Sequence, residues 1–175
     1  MEKVFRLQRL FTVLYAVAAI LVFVFALFFL TDFKDLFGLE LKINQDIAYF
    51  HDVVLQGFNQ RLFVFALCLV AGIALCYMLE IRSKVPDLFA LAIMCAFLIA
   101  ASVFCIVLMG SLGAMRSTYW ALDYSMVAME GAIEYIPNDR TFLMGSILMP
   151  VSALLFLGFA AVLIVSHVKY RKGAR

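Results

Sequence analysis

Residues 88–115 read LFALAIMCAFLIAASVFCIVLMGSLGAM, 28 consecutive positions without a formal charge. At a rise of about 1.5 Å per residue, roughly 20 apolar residues cross a hydrocarbon core about 30 Å thick, so this stretch is long enough to span a bilayer with some tilt. Moving outward, the charged residues leave three more such stretches: Leu10–Thr31, Leu62–Leu79 and Thr141–Val168. The composition agrees. Of 175 residues, 66% are hydrophobic and 15% charged, against roughly 45–50% and about 25% in ordinary soluble domains. A chain this short has too little polar surface to cover a water-soluble globule, and it is too apolar to be disordered. The predicted fold is all-α integral membrane: one four-transmembrane-helix bundle over residues 1–175, with spans of about 10–31, 62–79, 88–115 and 141–168.

Lys and Arg near span ends resist translocation, so their distribution predicts orientation. Lys3, Arg6, Arg9, Arg82, Lys84, Lys169, Arg171, Lys172 and Arg175 fall on one side, and Lys34, Lys42, Arg61, Arg116 and Arg140 on the other. With the acidic residues included, the first side carries net +6 and the second net −4. Both termini are therefore expected in the cytoplasm, with a tight inner turn around Pro86 and outer segments at 32–61 and 116–140. The first span exceeds the roughly 7–15 residues of a signal h-region, and no small-x-small cleavage site precedes Thr31-Asp32, so it is expected to be retained. The C-terminal Lys-Gly-Ala-Arg is not a prenylation box.

Both outer segments predict amphipathic helices. From Asn44, a good N-cap, Ile47, Phe50, Val54 and Phe58 form one apolar stripe, while Asp46, Asp52, Gln56 and Asn59 are expected to face away. Ser117 is expected to cap a second helix ending before Pro137, with Leu122, Met126, Met129 and Ile133 as its apolar stripe. Arg116, Asp123, Glu130 and Glu134 would form its charged stripe, and Asp123, Glu130 and Glu134 are the expected partner-binding face. Tyr119, Trp120 and Tyr124 suit an interfacial aromatic belt. Asn59-Gln60-Arg61-Leu62-Phe63 also aligns with Asn138-Asp139-Arg140-Thr141-Phe142, which suggests a parallel repeat of 1–85 and 86–175; convergence where a chain re-enters the membrane is the alternative.

Helix association in lipid depends on close packing at small residues. Cys68, Gly72 and Cys76 give the second span such a face, Ala92, Ala96 and Ala100 give one to the third, and contact between the two across their short turn is expected, with dimerisation as the alternative. Gly110 and Gly145 are further small packing positions, and Pro150 frees a backbone carbonyl near Ser146 and is expected to kink the fourth span.

Catalytic and cofactor signals are sparse. The span centres hold no ionisable group of the kind that lines ion or proton paths. His51 and His167 fall on opposite sides and do not suit bis-His haem ligation, and the cysteine spacing fits no iron–sulfur pattern, so no cofactor is expected. His51, Asp52, Asp123, Glu130 and Glu134 could hold a divalent metal if the two outer helices meet, but a solvated acidic face is the simpler reading. The serines show no Gly-x-Ser-x-Gly setting, and a stripe of methionines at helical spacing is read as packing. No basic block suggests nucleic acid. Four-span claudins and tetraspanins carry loop cysteines, whereas Cys68, Cys76, Cys95 and Cys105 all fall within spans, so a bacterial inner membrane is the expected location. The expected function is that of a non-enzymatic subunit or accessory protein of a larger membrane complex, with the lipid bilayer and other membrane subunits or further copies as partners. A small transporter or channel formed by oligomerisation is the alternative.

Overall fold

The computed structural model describes residues 2–32, 45–82, 88–124 and 138–173. Those residues are helical apart from short stretches beside the connections. The elements are α1 (Glu2–Asp32), α2 (Gln45–Tyr49), a π-helical segment (Phe50–Leu55), α3 (Gln56–Arg82), α4 (Leu88–Ala121) and α5 (Arg140–Gly173). Four helices are long and apolar enough to cross a membrane: α1, α2 continued through the π segment into α3, α4 and α5. Large apolar side chains stand exposed all round them, among them Phe89 at 76%, Leu154 at 72% and Ile147 at 66%. In water such a surface would drive aggregation, and a bilayer is the solvent that accepts it. Asn44, Ser83, Pro86, Met126, Met129, Glu130, Ile133, Glu134 and Pro137, on which several expectations rest, lie outside the described residues.

Neighbouring helices run antiparallel in a ring. Phe29 meets Phe58 and Tyr15 meets Leu69 between α1 and α3, while Phe29 meets Phe142 and Phe11 stacks on Phe159 between α1 and α5. The most extensive interface joins α4 to α5, and the seam between α3 and α4 is the loosest. Arg61, Arg116 and Arg140 thus come to one end of the bundle, the outer end in the orientation expected from charge, and Arg6, Arg9, Arg82, Lys169 and Arg171 to the other.

The core is unusually aromatic. Tyr15, Phe25, Phe29, Phe58, Phe142, Phe156 and Phe159 are all at most 3% exposed and fill the bundle axis. Two buried polar bonds tie helices across it: the Tyr15 hydroxyl donates to the Leu69 carbonyl at 2.7 Å, and Ser102 Oγ donates to the Ala153 carbonyl at 2.7 Å. The Cys95 thiol reaches toward the Ala160 carbonyl at 3.9 Å, a weaker link in the same α4–α5 interface.

Three expectations are corrected. The helix beginning at Gln45 continues into the second span, but the Gln56 N–H bonds to the His51 carbonyl five residues back, and this π turn inserts extra chain. Each added residue turns the following helix by about 100°. Ile47, Phe50 and Phe58 are buried as expected and Asp46, Asp52 and Gln56 exposed, but Leu55 joins the buried side and Asn59 turns inward to 7% exposure. Secondly, Ser117 caps nothing: α4 runs unbroken to Ala121, and Ser117 Oγ donates back to the Ala114 carbonyl at 2.7 Å. Thirdly, Arg116 leaves the predicted charged stripe to pair with Asp139.

Candidate functional site

Two features stand out, a polar clasp at the outer end and an open cleft between α3 and α4.

The clasp arises where α4 ends and α5 begins. Asp139 precedes the first residue of α5, and its carbonyl accepts the Leu143 N–H at 3.1 Å, the first bond of that helix. Its side chain turns away from the helix. Asp139 Oδ2 accepts from Arg116 Nε and Nη2, both at 2.7 Å, and from the Trp120 indole N–H at 3.1 Å. These donors, the indole first and then the guanidinium, hold the Asp139 carboxyl below the usual carboxylate range. Beside it the Asn138 N–H donates to the Tyr119 hydroxyl at 3.0 Å, the Tyr124 hydroxyl donates to the Tyr119 carbonyl at 2.8 Å, and Asn138 Oδ1 accepts the Arg140 N–H at 3.0 Å. Tyr119 is 3% exposed and lies among Phe50, Trp120, Tyr124 and Phe142. The three outer aromatics expected as an interfacial belt thus divide: Tyr119 is core, Tyr124 half-buried and Trp120 exposed. A single carboxylate fixes both ends of the outer connection, which makes the clasp a structural device.

The cleft opens where α3 and α4 fail to close on each other. It is a cavity of about 470 Å³ with an almost wholly apolar lining, including Val64 and Cys68 from α3 and Phe97, Ala100 and Phe104 from α4. Gln60 and Arg61 stand at its outer mouth. Arg61 Nε donates to the Gly57 carbonyl at 3.0 Å, and among the described residues no carboxylate pairs with it. Below the cleft the seam shuts, because Gly72 allows Phe97 to lie against the α3 backbone.

The expected packing residues are distributed differently from the expectation. Gly72 and Cys76 are buried and Cys68 is exposed. A Cβ on Gly72 would meet the Tyr15 hydroxyl of α1 as well as the Phe97 ring of α4. Ala92, Ala96 and Ala100 are exposed, because α4 turns Leu91, Met94, Leu98, Ala101, Ser102 and Cys105 inward, and Ser102 and Cys95 bond it to α5. The two helices do meet as expected, but slightly: Gly72 lies against Phe97, while Cys68 and Ala100 face each other across an open gap. Gly145 is tightly packed, with Phe25 Cζ 2.6 Å and Leu112 Cδ1 2.7 Å from where a Cβ would stand, while Gly110 faces open space. Pro150 lies half-buried inside α5, which continues through it.

Among the described residues no three or more His, Cys, Asp or Glu side chains gather to hold a metal. His51 Nδ1 lies 2.9 Å from Asp52 Oδ1 on the π segment, and Asp123 is exposed near the end of α4. The other proposed ligands and docking residues, Glu130 and Glu134, lie outside the described residues. The chain matches no known family model, no curated protein and no solved structure. Sequence reasoning missed Asp139 and the cleft. The signal for Asp139 was an Arg at the end of one span facing an Asp at the start of the next. The cleft's signal was Cys68 placed opposite Ala100 and Ala101.

Proposed function

We infer that this chain is a non-enzymatic membrane subunit or accessory protein that acts by binding neighbours within the bilayer. The filled aromatic axis carries this reading: with Tyr15, Phe29, Phe58, Phe142, Phe156 and Phe159 closing the centre, the surfaces left to work with are the outward faces of the helices. The exposed Ala92 and Ala96 supply one such face, since small residues four apart let a second helix approach closely enough for packing to hold it in lipid. The nine basic residues on one side support a reading with both termini in the cytoplasm by the positive-inside rule, and the membrane is read as a bacterial inner membrane. The outer amphipathic segments, with the acidic face of Asp123, Glu130 and Glu134, are read as a second contact surface. The partner is another membrane subunit or a further copy of this chain.

Purification in mild detergent tests the reading. A second polypeptide should co-purify in fixed ratio with the parent chain and be lost on Ala92→Leu or Ala96→Leu, with melting of the isolated chain unchanged because both positions face outward. Co-purification that survives both substitutions removes the α4 face from the proposal. A closed homo-oligomer with ion or solute flux in vesicles would instead favour a channel or transporter, whose path would run between copies because each bundle is filled.

A further inference from the structure

The cleft has a length and a polarity. Along α3 its lining runs from Gln60 to Leu69, about 14 Å at 1.5 Å per residue. Half of a hydrocarbon core of about 30 Å is about 15 Å. The cleft therefore opens at the outer end and closes at mid-bundle, where Phe97 lies over Gly72. A partner's transmembrane helix would need a groove along the whole span. A single acyl chain of one leaflet needs only half of it.

The charge at the mouth suits a lipid headgroup. The cleft walls are apolar, and the mouth bears one cation, Arg61, exposed and without a carboxylate partner among the described residues. Its Nε is anchored on the Gly57 carbonyl, which fixes the plane of the guanidinium and leaves the terminal nitrogens to donate outward. Guanidinium matches phosphate oxygens in a two-pronged geometry, and an Arg at the interface sits at phosphate depth. Gln60 beside it adds a neutral donor and acceptor.

We propose that the α3–α4 cleft binds a phospholipid of the outer leaflet, with one acyl chain lying along Val64, Cys68, Phe97, Ala100 and Phe104 and the phosphate held by Arg61. Packing provides its reason to be there: an open seam in the apolar region is stable only when something apolar fills it, and an acyl chain fills it without a new protein interface.

The test uses the full chain in lipid nanodiscs containing a trace of phosphatidylglycerol with a photoactivatable diazirine at mid-acyl chain. After irradiation, labelled peptides should concentrate in residues 62–69 and 97–104. Arg61→Gln should lower that labelling about tenfold, the loss expected from removing a charge-assisted contact. A diacylglycerol probe with the same acyl chain and no phosphate should label the parent chain as weakly as phosphatidylglycerol labels Arg61→Gln. Ala100→Trp and Cys68→Phe, which fill the cleft from opposite walls, should each abolish the labelling while thermal melting is retained. Labelling spread evenly over the exposed faces of all four spans would overturn the proposal, as would labelling indifferent to Arg61→Gln. Cross-links from cysteines placed at the cleft to a second polypeptide, in place of lipid, would assign the cleft to a protein and overturn it equally.

Discussion

Gly72→Ala adds one methyl group at the point where three helices meet, and its effect depends on which neighbour can give way. The new carbon would stand against the Tyr15 hydroxyl and 2.8 Å from Phe97 Cε1 and Cζ. Phe97 is half-buried at the edge of an open cleft and can swing. Tyr15 cannot. It is 0% exposed, its hydroxyl is 2.7 Å from the Leu69 carbonyl, and its ring is flanked by Phe156 at 5.4 Å and Phe159 at 6.1 Å. Accommodating the methyl therefore breaks the Tyr15 bond, worth about 0.6 kcal/mol on average between membrane helices, and adds overpacking of about 1–3 kcal/mol. Gly110→Ala is the control, because nothing lies within 4 Å of its added carbon and it carries the same Gly-to-Ala change in helix preference. Stability measured by denaturant titration in mixed micelles should fall by about 2–4 kcal/mol for Gly72→Ala relative to Gly110→Ala, the sum of the two costs. Tyr15→Phe removes the clashing oxygen, so Gly72→Ala in that background should lose about 1 kcal/mol less, a coupling within the usual range for touching residues. Equal effects of Gly72→Ala with and without the tyrosine hydroxyl, or an effect no larger than that of Gly110→Ala, would refute the three-helix contact.

Trp120 is the sole tryptophan and donates to Asp139, so its fluorescence should report protonation of that carboxylate. Because the folded carboxyl titrates below its ordinary range, the clasp's contribution is complete at neutral pH and lost as pH falls through the depressed value; Asp139→Asn should remove this transition, and an emission change centred at or above the ordinary carboxylate range would contradict the clasp. Ser102→Ala should destabilise by about 0.6 kcal/mol through loss of the bond to Ala153, and Ser102→Val should cost more by adding overpacking in a site 1% exposed; no change in either variant's unfolding would place Ser102 outside the interface. On a cysteine-free background, Ser83→Cys should react with an impermeant maleimide only after the cytoplasmic face is opened, and Gln56→Cys in intact spheroplasts; the reverse pattern would invert the bundle.

The spans were legible because apolar length is all that crossing a bilayer demands. Their ends were less so. Hydropathy marks the apolar middle, whereas α1 begins at Glu2 and α5 runs to Gly173 because charged, helix-favouring residues continue the backbone bonds into the interface. Ser117 illustrates the ambiguity: a hydroxyl that can cap a new helix can equally bond three residues back within an existing one. The π turn at Phe50–Leu55 has no marker in an apolar pattern, yet it decides that Asn59 faces inward. The Arg116–Asp139 pair spans 23 positions and becomes visible only when the α4–α5 connection closes. Which small-residue face meets which helix was likewise unreadable, because that depends on the volumes available on every other helix.

Those volumes also account for the one loose seam. Within each half the helices form a hairpin, α1 with α3 and α4 with α5, and the halves touch along two lines, α1 against α5 and α3 against α4. If the halves are a parallel duplication, these lines correspond to each other. The α1–α5 line is filled by large rings set against rings or glycine: Phe11 on Phe159, Phe25 over Gly145 and Phe29 on Phe142. Along α3–α4, the Phe65–Phe104 contact at 4.8 Å is followed by Cys68 opposite Ala100 and Ala101, and small residues facing small residues leave the gap. In a soluble protein such a gap would collapse or be filled by selection for larger side chains, since apolar voids cost stability roughly in proportion to their volume. In a bilayer the penalty vanishes wherever a lipid chain can enter, so the asymmetry between the two lines is stable only with lipid as part of the packing.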